Sequence, residues 1–297
     1  MNAHLNPNVR HDFVLVFDVS NGNPNGDPDN GNAPRIDPET GHLWVTDGAI
    51  KRKVRNFVAE TKGATPGFGI YVSEGVALNS RHREAYEKLK IDPKKKTKDD
   101  VMSAQQQVCT DWWDVRTFGA VLSTGEHAAG QVRGPVQLTT AVSVEPVLSN
   151  EMTITRVAVT DEKELENLYK ADVKGGKDRE MGSKHLVPYA LFQCRGFFVP
   201  SMADRTGFSA DDLAVFWDAL ERMWFLDRSS SRGVTGCRGV HIFSHEDALG
   251  RCHPDKLFGR VTATRTSEQV ARSFSDYRMD AAVSDLPPGV TYTCLAS

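Results

Sequence analysis

No long apolar run opens this 297-residue chain. The stretch 13–17 is hydrophobic but far too short for a signal segment or a membrane span. A cytoplasmic location without a membrane partner is therefore expected. Paired cysteines are lacking as well. Cys109, Cys194, Cys237, Cys252 and Cys294 are odd in number and contain no C-x-x-C, which predicts reduced thiols. A general excess of positive charge is missing too. The 36 Lys and Arg residues stand against 39 Asp and Glu, for a formal net charge of −3. That excludes a uniformly basic nucleic-acid binder. No internal repeat is present. What remains is 39% hydrophobic and 25% charged, enough to form a core. The length suits two domains, or one domain with large insertions.

Ligand and catalytic motifs are also scarce. The polar loop 21–37, NGNPNGDPDNGNAPRID, reads as too irregular for a helix or strand. Gly26 and Gly31 have the spacing of a phosphate loop. Asn32 and Ala33 then stand where a Lys and a Ser or Thr belong. Asp27 and Asp29 suit the first and third positions of a calcium loop, but Gly31, Asn32 and Pro38 fall where further ligands and the turn glycine are needed. Cys237, His241 and His245 repeat every four residues in a strand-like stretch. A strand spreads them about 13 Å per step, too far for one ion. No G-x-S-x-G is present. RGFFV (195–199) mimics an RNA-recognition motif, yet Phe197 and Phe198 are adjacent and point to opposite faces. Packing is the expected role of both rings. No catalytic residue, metal or cofactor is assigned.

Periodicity supplies the element order. Residues 12–20 read as a central strand and 45–60 as a helix capped by Thr46 or Asp47, with Ile50, Val54 and Phe57 as its buried stripe. Within 61–135, GIYVSEG (69–75) suits a short strand, and 80–90 and 97–114 suit helices. Residues 136–146, 152–160 and 185–200 read as strands. The helix 209–227 starts at Ser209, and 236–245 is a final core strand. The large elements run β, α, β, β, α, β, the order of an α+β, ferredoxin-like or RNA-recognition-type fold. Insertions interrupt it at 61–135 and 146–184, and KGGKDRE (174–180) reads as mobile.

Charge is distributed unevenly along this framework. Lys51, Arg52, Lys53 and Arg55 oppose only Asp47 within residues 46–55. Residues 81–98 hold eight Lys or Arg against Glu84, Glu87 and Asp92, while DEKELE (161–166) is acidic. Basic patches on a balanced chain suit an anion bound on one face. Helical spacing puts Lys51, Arg52 and Arg55 together beside the helix N-terminus, with Lys53 pointing elsewhere. The loop 227–239 adds Arg228, Ser230, Arg232 and Arg238. In a ferredoxin-like fold it lies near the loop after the first strand. Together they would make a groove for one nucleic-acid strand.

Several stretches in this order, NGNPNGDPDNGNAPRIDPETG, VTDGAIKRKVRN, DVRTFGAVL, QVRGPVQ, VEPV, TITRVAV and MGSKHLVPYALF, resemble one family. It is the backbone subunit of the type I-C CRISPR Cascade complex, in the Cas-seven superfamily, Csd-two branch. The resemblance implies a hand-shaped, non-catalytic RNA-binding protein. Its palm would be 12–60, 136–145 and 185–245, its fingers 61–135, its thumb 146–184, and 246–297 an extension packing on the palm. It implies copies joined head to tail along CRISPR RNA, target DNA met through the guide, other Cascade subunits, and a recruited helicase-nuclease. The family's helix start is usually Ser, Ser, Gln; here it is Thr46, Asp47, Gly48, with Lys51 and Arg52 retained. The implied RNA contacts are Asn21, Asn23, Asn25, Arg35, Thr46, Lys51, Arg52, Arg55, Arg116, Phe118, Gln131, Arg133, Met181, Lys184, His185, Arg228, Ser230, Arg232 and Arg238. Met181 sits where the thumb approaches the bases. The rival expectation is a metal-dependent RNA endonuclease of related fold using Asp27, Asp29 or Asp37.

Overall fold

The computed structural model describes residues 2–156, 158, 161–163, 166 and 180–295. Its first long strand, β1 (His11–Gly22), is buried over most of its length on both faces. The loop beyond it is not irregular. It folds into a miniature hairpin of β2 (Gly26–Asp27) and β3 (Ala33–Pro34), joined through a 3-10 turn at Pro28–Asn30. Gly31 (φ 54°) and Asn32 (φ 62°) take the left-handed conformation that closes it, a conformation open to Gly and tolerated by Asn. Next come β4 (His42–Val45) and helix α1 (Asp47–Lys62).

The following segment forms α2 (Leu78–Leu89), α3 (Lys98–Asp111), α4 (Trp113–Phe118) and a hairpin of β5 (Gly119–Leu122) and β6 (Gly130–Arg133). It has a small core of its own, around Tyr71, Tyr86, Val108, Val115 and Leu122. The strand expected at 69–75 is absent; Gly69 makes one isolated bridge to Trp112. Part of the basic run is neutralised locally by Arg81–Glu84, Arg83–Glu87 and Lys88–Asp111 pairs.

The single strand expected over 136–146 is divided into β7 (Val136–Leu138) and β8 (Ala141–Pro146). Thr139 causes the break. Its hydroxyl accepts the Arg195 N–H at 3.2 Å, taking a bond that a continuous ladder would give to backbone. Strands β9 (Asn150–Arg156) and β10 (Glu180–Phe198) then pair as antiparallel arms, from Asn150–Leu186 to Arg156–Glu180. KGGKDR and part of DEKELE lie outside the described residues. Helices α5 (Pro200–Thr206) and α6 (Ala210–Arg222) follow, the latter opened by a Ser209–Asp212 capping box. Strand β11 (Val234–His245) leads to α7 (Pro254–Phe258), the hairpin β12 (Val261–Arg265) and β13 (Tyr277–Ala281), and β14 (Val290–Leu295).

The main sheet runs β14-β11-β1-β10-β8-β4. Strands β11, β1, β10 and β8 reproduce the order of a ferredoxin-like sheet, with every recorded pairing antiparallel. Alternation fixes the two faces. Phe13, Leu15, Phe17 and Val19 meet α1 and α6 in the main core, where Trp217 and Trp224 lie. Val14 and Val16 face the opposite way and meet Leu257, Phe258, Val261 and Tyr277 from the C-terminal segment. Phe198 joins the first core and Phe197 packs beside the second. Both rings pack on opposite faces, as their adjacency requires. His241 and His245 are also interior, bonded to the Tyr292 hydroxyl and to Asp12.

Candidate nucleic-acid interface

Segments distant in sequence meet at the end of the sheet where β1 finishes. Thr46 caps α1, its hydroxyl accepting from the Ala49 N–H at 3.2 Å. Its own N–H and hydroxyl both donate to the Asn25 side-chain oxygen at 2.9 Å. Asn25 thus ties the post-β1 loop to the start of the helix. Asn23 ties the same loop to the one before β11, its N–H donating to the Ser231 carbonyl at 2.7 Å. Lys184, on the arm of β10, donates to the Ser230 hydroxyl at 2.8 Å and also to the Ser230 carbonyl. The expectation that the loops beside β1 and β11 approach each other holds. Gly22 and Gly233 allow it, since a Cβ on either would run into the backbone of the other loop.

The cations of α1 divide into three roles. Lys51 pairs with Asp47 at 2.9 Å and stands 5.5 Å from the centre of the Phe118 ring. Arg52 reaches Glu74 at 3.6 Å. Both pairs involve partly exposed groups, and such pairs are weak enough for another anion to displace. Arg55 is engaged more firmly, 2.7 Å from Asp114. That buried carboxylate also accepts the Tyr71 and Val72 N–H groups. Lys53 does point elsewhere, into the interior, where its ammonium meets Asp227 under Trp224. Burial lowers its pKa, and the hydrogen bond from Lys53 to Asp227 opposes that shift.

Other expected contacts are placed as follows. Asn21 and Arg228 are exposed, and Arg232 pairs with Asp227 at 3.6 Å. Gln131 and Arg133 are exposed on β6 and, with Gln137, border a groove whose floor includes Phe118. Met181 is 77% exposed. His185 is half-buried and lies in register with Glu151. Arg35 sits 3.4 Å from Asp27.

Three of the expected contacts, Arg116, Phe118 and Asn23, are buried, and a fourth, Arg238, is part-exposed in an ion pair on the other face of the sheet. Arg116 is buried, with its guanidinium 2.7 and 3.1 Å from the Asp212 oxygens and its remaining donors turned to backbone carbonyls. Its task in this fold is to join α4 to α6. Phe118 is 7% exposed and serves as the ring beneath Lys51 and Arg55. Asn23 is buried, its amide donating to the Asn32 carbonyl at 2.7 Å. Arg238 is the extra residue where β11 slips past β1 between Val16 and Phe17. Such a bulge turns the side chain over. Arg238 therefore lies on the C-terminal-segment face, 2.9 Å from Asp18 and 5.0 Å from the Phe274 ring.

The acidic residues of the early loop serve as turn partners. Asp27 accepts from the Asp29 N–H and faces Arg35, while Asp37 accepts from Glu39 and Thr40. Among the described residues, no group of three or more His, Cys, Asp or Glu is arranged to hold a metal ion. No described helix is long and apolar enough to cross a membrane. The sequence reading missed the Lys53–Asp227 pair. Its only signal was an apolar neighbourhood on the helical wheel, masked by the surrounding run of basic residues.

A Haloferax volcanii protein described as "CRISPR-associated protein Cas7" is 25% identical over 296 residues, covering 91% of this chain and 80% of its own. Among solved structures, a chain of "CRISPR RNA-guided surveillance complex, pre-nicking" aligns with a TM-score of 0.49 and 15% identity, over 79% of this chain and 78% of that one. A chain of "CRISPR RNA-guided surveillance complex" aligns with a TM-score of 0.44 and 17% identity, over 79% and 68%. Residues 9–282 match the family described as CRISPR-associated protein Cas7. The chain belongs to that family.

Proposed function

We propose that this chain is an RNA-binding backbone subunit of a type I-C CRISPR Cascade complex, assembling head to tail along the guide and presenting it to target DNA. The observation that carries the reading is the meeting of the Asn21–Asn25 loop, the Thr46 helix start and the Ser229–Arg232 loop, which Lys184 joins through Ser230, with Lys51 one turn into the same helix. Helix N–H groups, amides, hydroxyls and cations at one place suit a sugar–phosphate strand rather than a set of base edges. Sequence would then be read by the guide's pairing. Family membership supports the same reading. Residues 12–60, 136–145 and 185–245 would be the palm, 61–135 the fingers, 146–184 the thumb, and 246–297 an extension on the palm. Lys51, Arg52, Arg133, Lys184, Arg228 and Arg232 are the phosphate contacts in this reading. Exposed Met181 would wedge between bases. The other Cascade subunits and a helicase-nuclease complete the partners.

The test is whether the purified protein carries RNA in filament-like oligomers and prefers single-stranded RNA to DNA. Repeat RNA and a guide–target duplex should remain intact with and without divalent metal. Metal-dependent cutting abolished by D29A would replace the scaffold with a nuclease. Binding without preference for RNA would also overturn it.

A further inference from the structure

We propose that the interior pair Lys53–Asp227 is a positioning device that sets the loop 227–233 in its RNA-binding shape without touching RNA. The inference rests on the RNA-binding reading above. Lys53 lies on α1 with its side chain 6% exposed, among Ile50, Val54 and Phe57 of the main core. An ammonium there is costly to desolvate, and an apolar side chain of similar length would pack in its place. Packing alone therefore does not account for a cation at this position. The placement of its partner does.

Asp227 is the first residue of the loop. One carboxylate oxygen takes Lys53, and the other faces Arg232 at 3.6 Å. Arg232 closes the turn, its N–H donating to the Ser229 carbonyl at 3.1 Å and the Ser229 hydroxyl at 3.2 Å. The residues held between, Ser230 and Ser231, receive Lys184 and the Asn23 N–H. One buried cation on α1 thus anchors the loop through which the β10 arm and the post-β1 loop are joined. The same helix holds that post-β1 loop through Thr46 and Asn25.

The experiment compares the full chain with its K53M and D227N variants. A generic single-stranded RNA is titrated over a salt series, and limited trypsin digestion reads cleavage after Arg228 and Arg232. Both variants should bind roughly threefold to tenfold more weakly, the cost of ordering one or two side chains on binding. The slope of log affinity against log salt should match the parent, because no phosphate contact is lost. Free variants should be cut faster in the loop, and bound RNA should slow the cutting. D227N decides by sign. Removing an acid near a polyanion strengthens binding by charge alone, whereas loss of the anchor weakens it. Equal or tighter binding by D227N overturns the proposal, and so does a K53M slope reduced by about 0.7, the signature of one lost single-strand phosphate contact. If K53M does not fold, the D227N result stands by itself. If the parent chain binds no RNA, the functional reading fails, while the cleavage rates still test the anchor. Unchanged loop cleavage in both variants overturns it.

Discussion

Arg116 and Arg133 carry the same charge on neighbouring elements, and their surroundings give them opposite tasks. Arg116 meets Asp212 in the interior, with side chains 8% and 3% exposed. R116A should lower unfolding free energy by about 3–5 kcal/mol, because Asp212 is left buried and unpaired. Chemical denaturation reads that loss. Arg133 is exposed and has no carboxylate partner among the described residues. R133A should change stability by less than about 0.5 kcal/mol, and should reduce the salt slope of RNA binding by about 0.7. Thiols divide by the same logic. Burial pushes Cys194 and Cys237 up to about 12 and Cys109 to about 11. At pH 8 a thiol-reactive dye should label exposed Cys294 first and half-buried Cys252 next, sparing buried Cys109 and Cys194 until the chain unfolds.

At the scale of elements, α1 depends on a cap supplied from outside it. Thr46 satisfies the Ala49 N–H, and Asn25 satisfies Thr46. T46A should cost about 1 kcal/mol of stability. N25A should weaken RNA binding as well, since the loop loses its hold on the helix start. Melting curves and RNA titrations of the two variants distinguish the effects. The sequence made the helix and its apolar stripe legible, because a 3.6-residue period and a Thr–Asp start are local signals. It did not reveal that Asn25 is the second cap. That bond spans 21 residues and exists only after β2 and β3 fold back. The split of 136–146 into β7 and β8 was hidden for the same reason, since the hydroxyl that breaks the ladder binds Arg195 on another strand.

Across the whole molecule, interior histidines set the response to acid. Burial holds His11 down at about 4, with His4 and His245 adding to the shift while the Asn6 carbonyl and Asp12 oppose it. His4, His82 and His241 are lowered by burial too. Above pH 6.5 His11 is neutral both folded and unfolded, and its full contribution is present. As pH falls from 6.5 to 4 the unfolded chain takes up a proton that the folded chain refuses, so stability declines. For His11 the decline reaches about 3 kcal/mol. Denaturation between pH 7 and 4 should show at least that loss, and H11Q should remove the His11 share of it while the share of His4, His82 and His241 persists.

Local chemistry written in the sequence determined the strand and helix order, the two-faced alternation of β1 and the opposed rings of Phe197 and Phe198. It also determined the failure of the phosphate and calcium motifs. These depend on residues within a few positions of one another. Tertiary structure alone decided what answers each cation. The 200° step that separates Lys51 from Lys53 is helical geometry, but only the fold brings the Phe118 ring to the one and Asp227, beneath Trp224, to the other. Arg116 and Arg238 were likewise reassigned by contacts with Asp212 and Asp18, far away in the chain. A side chain's charge belongs to the sequence. Whether that charge is already answered depends on what the fold brings beside it.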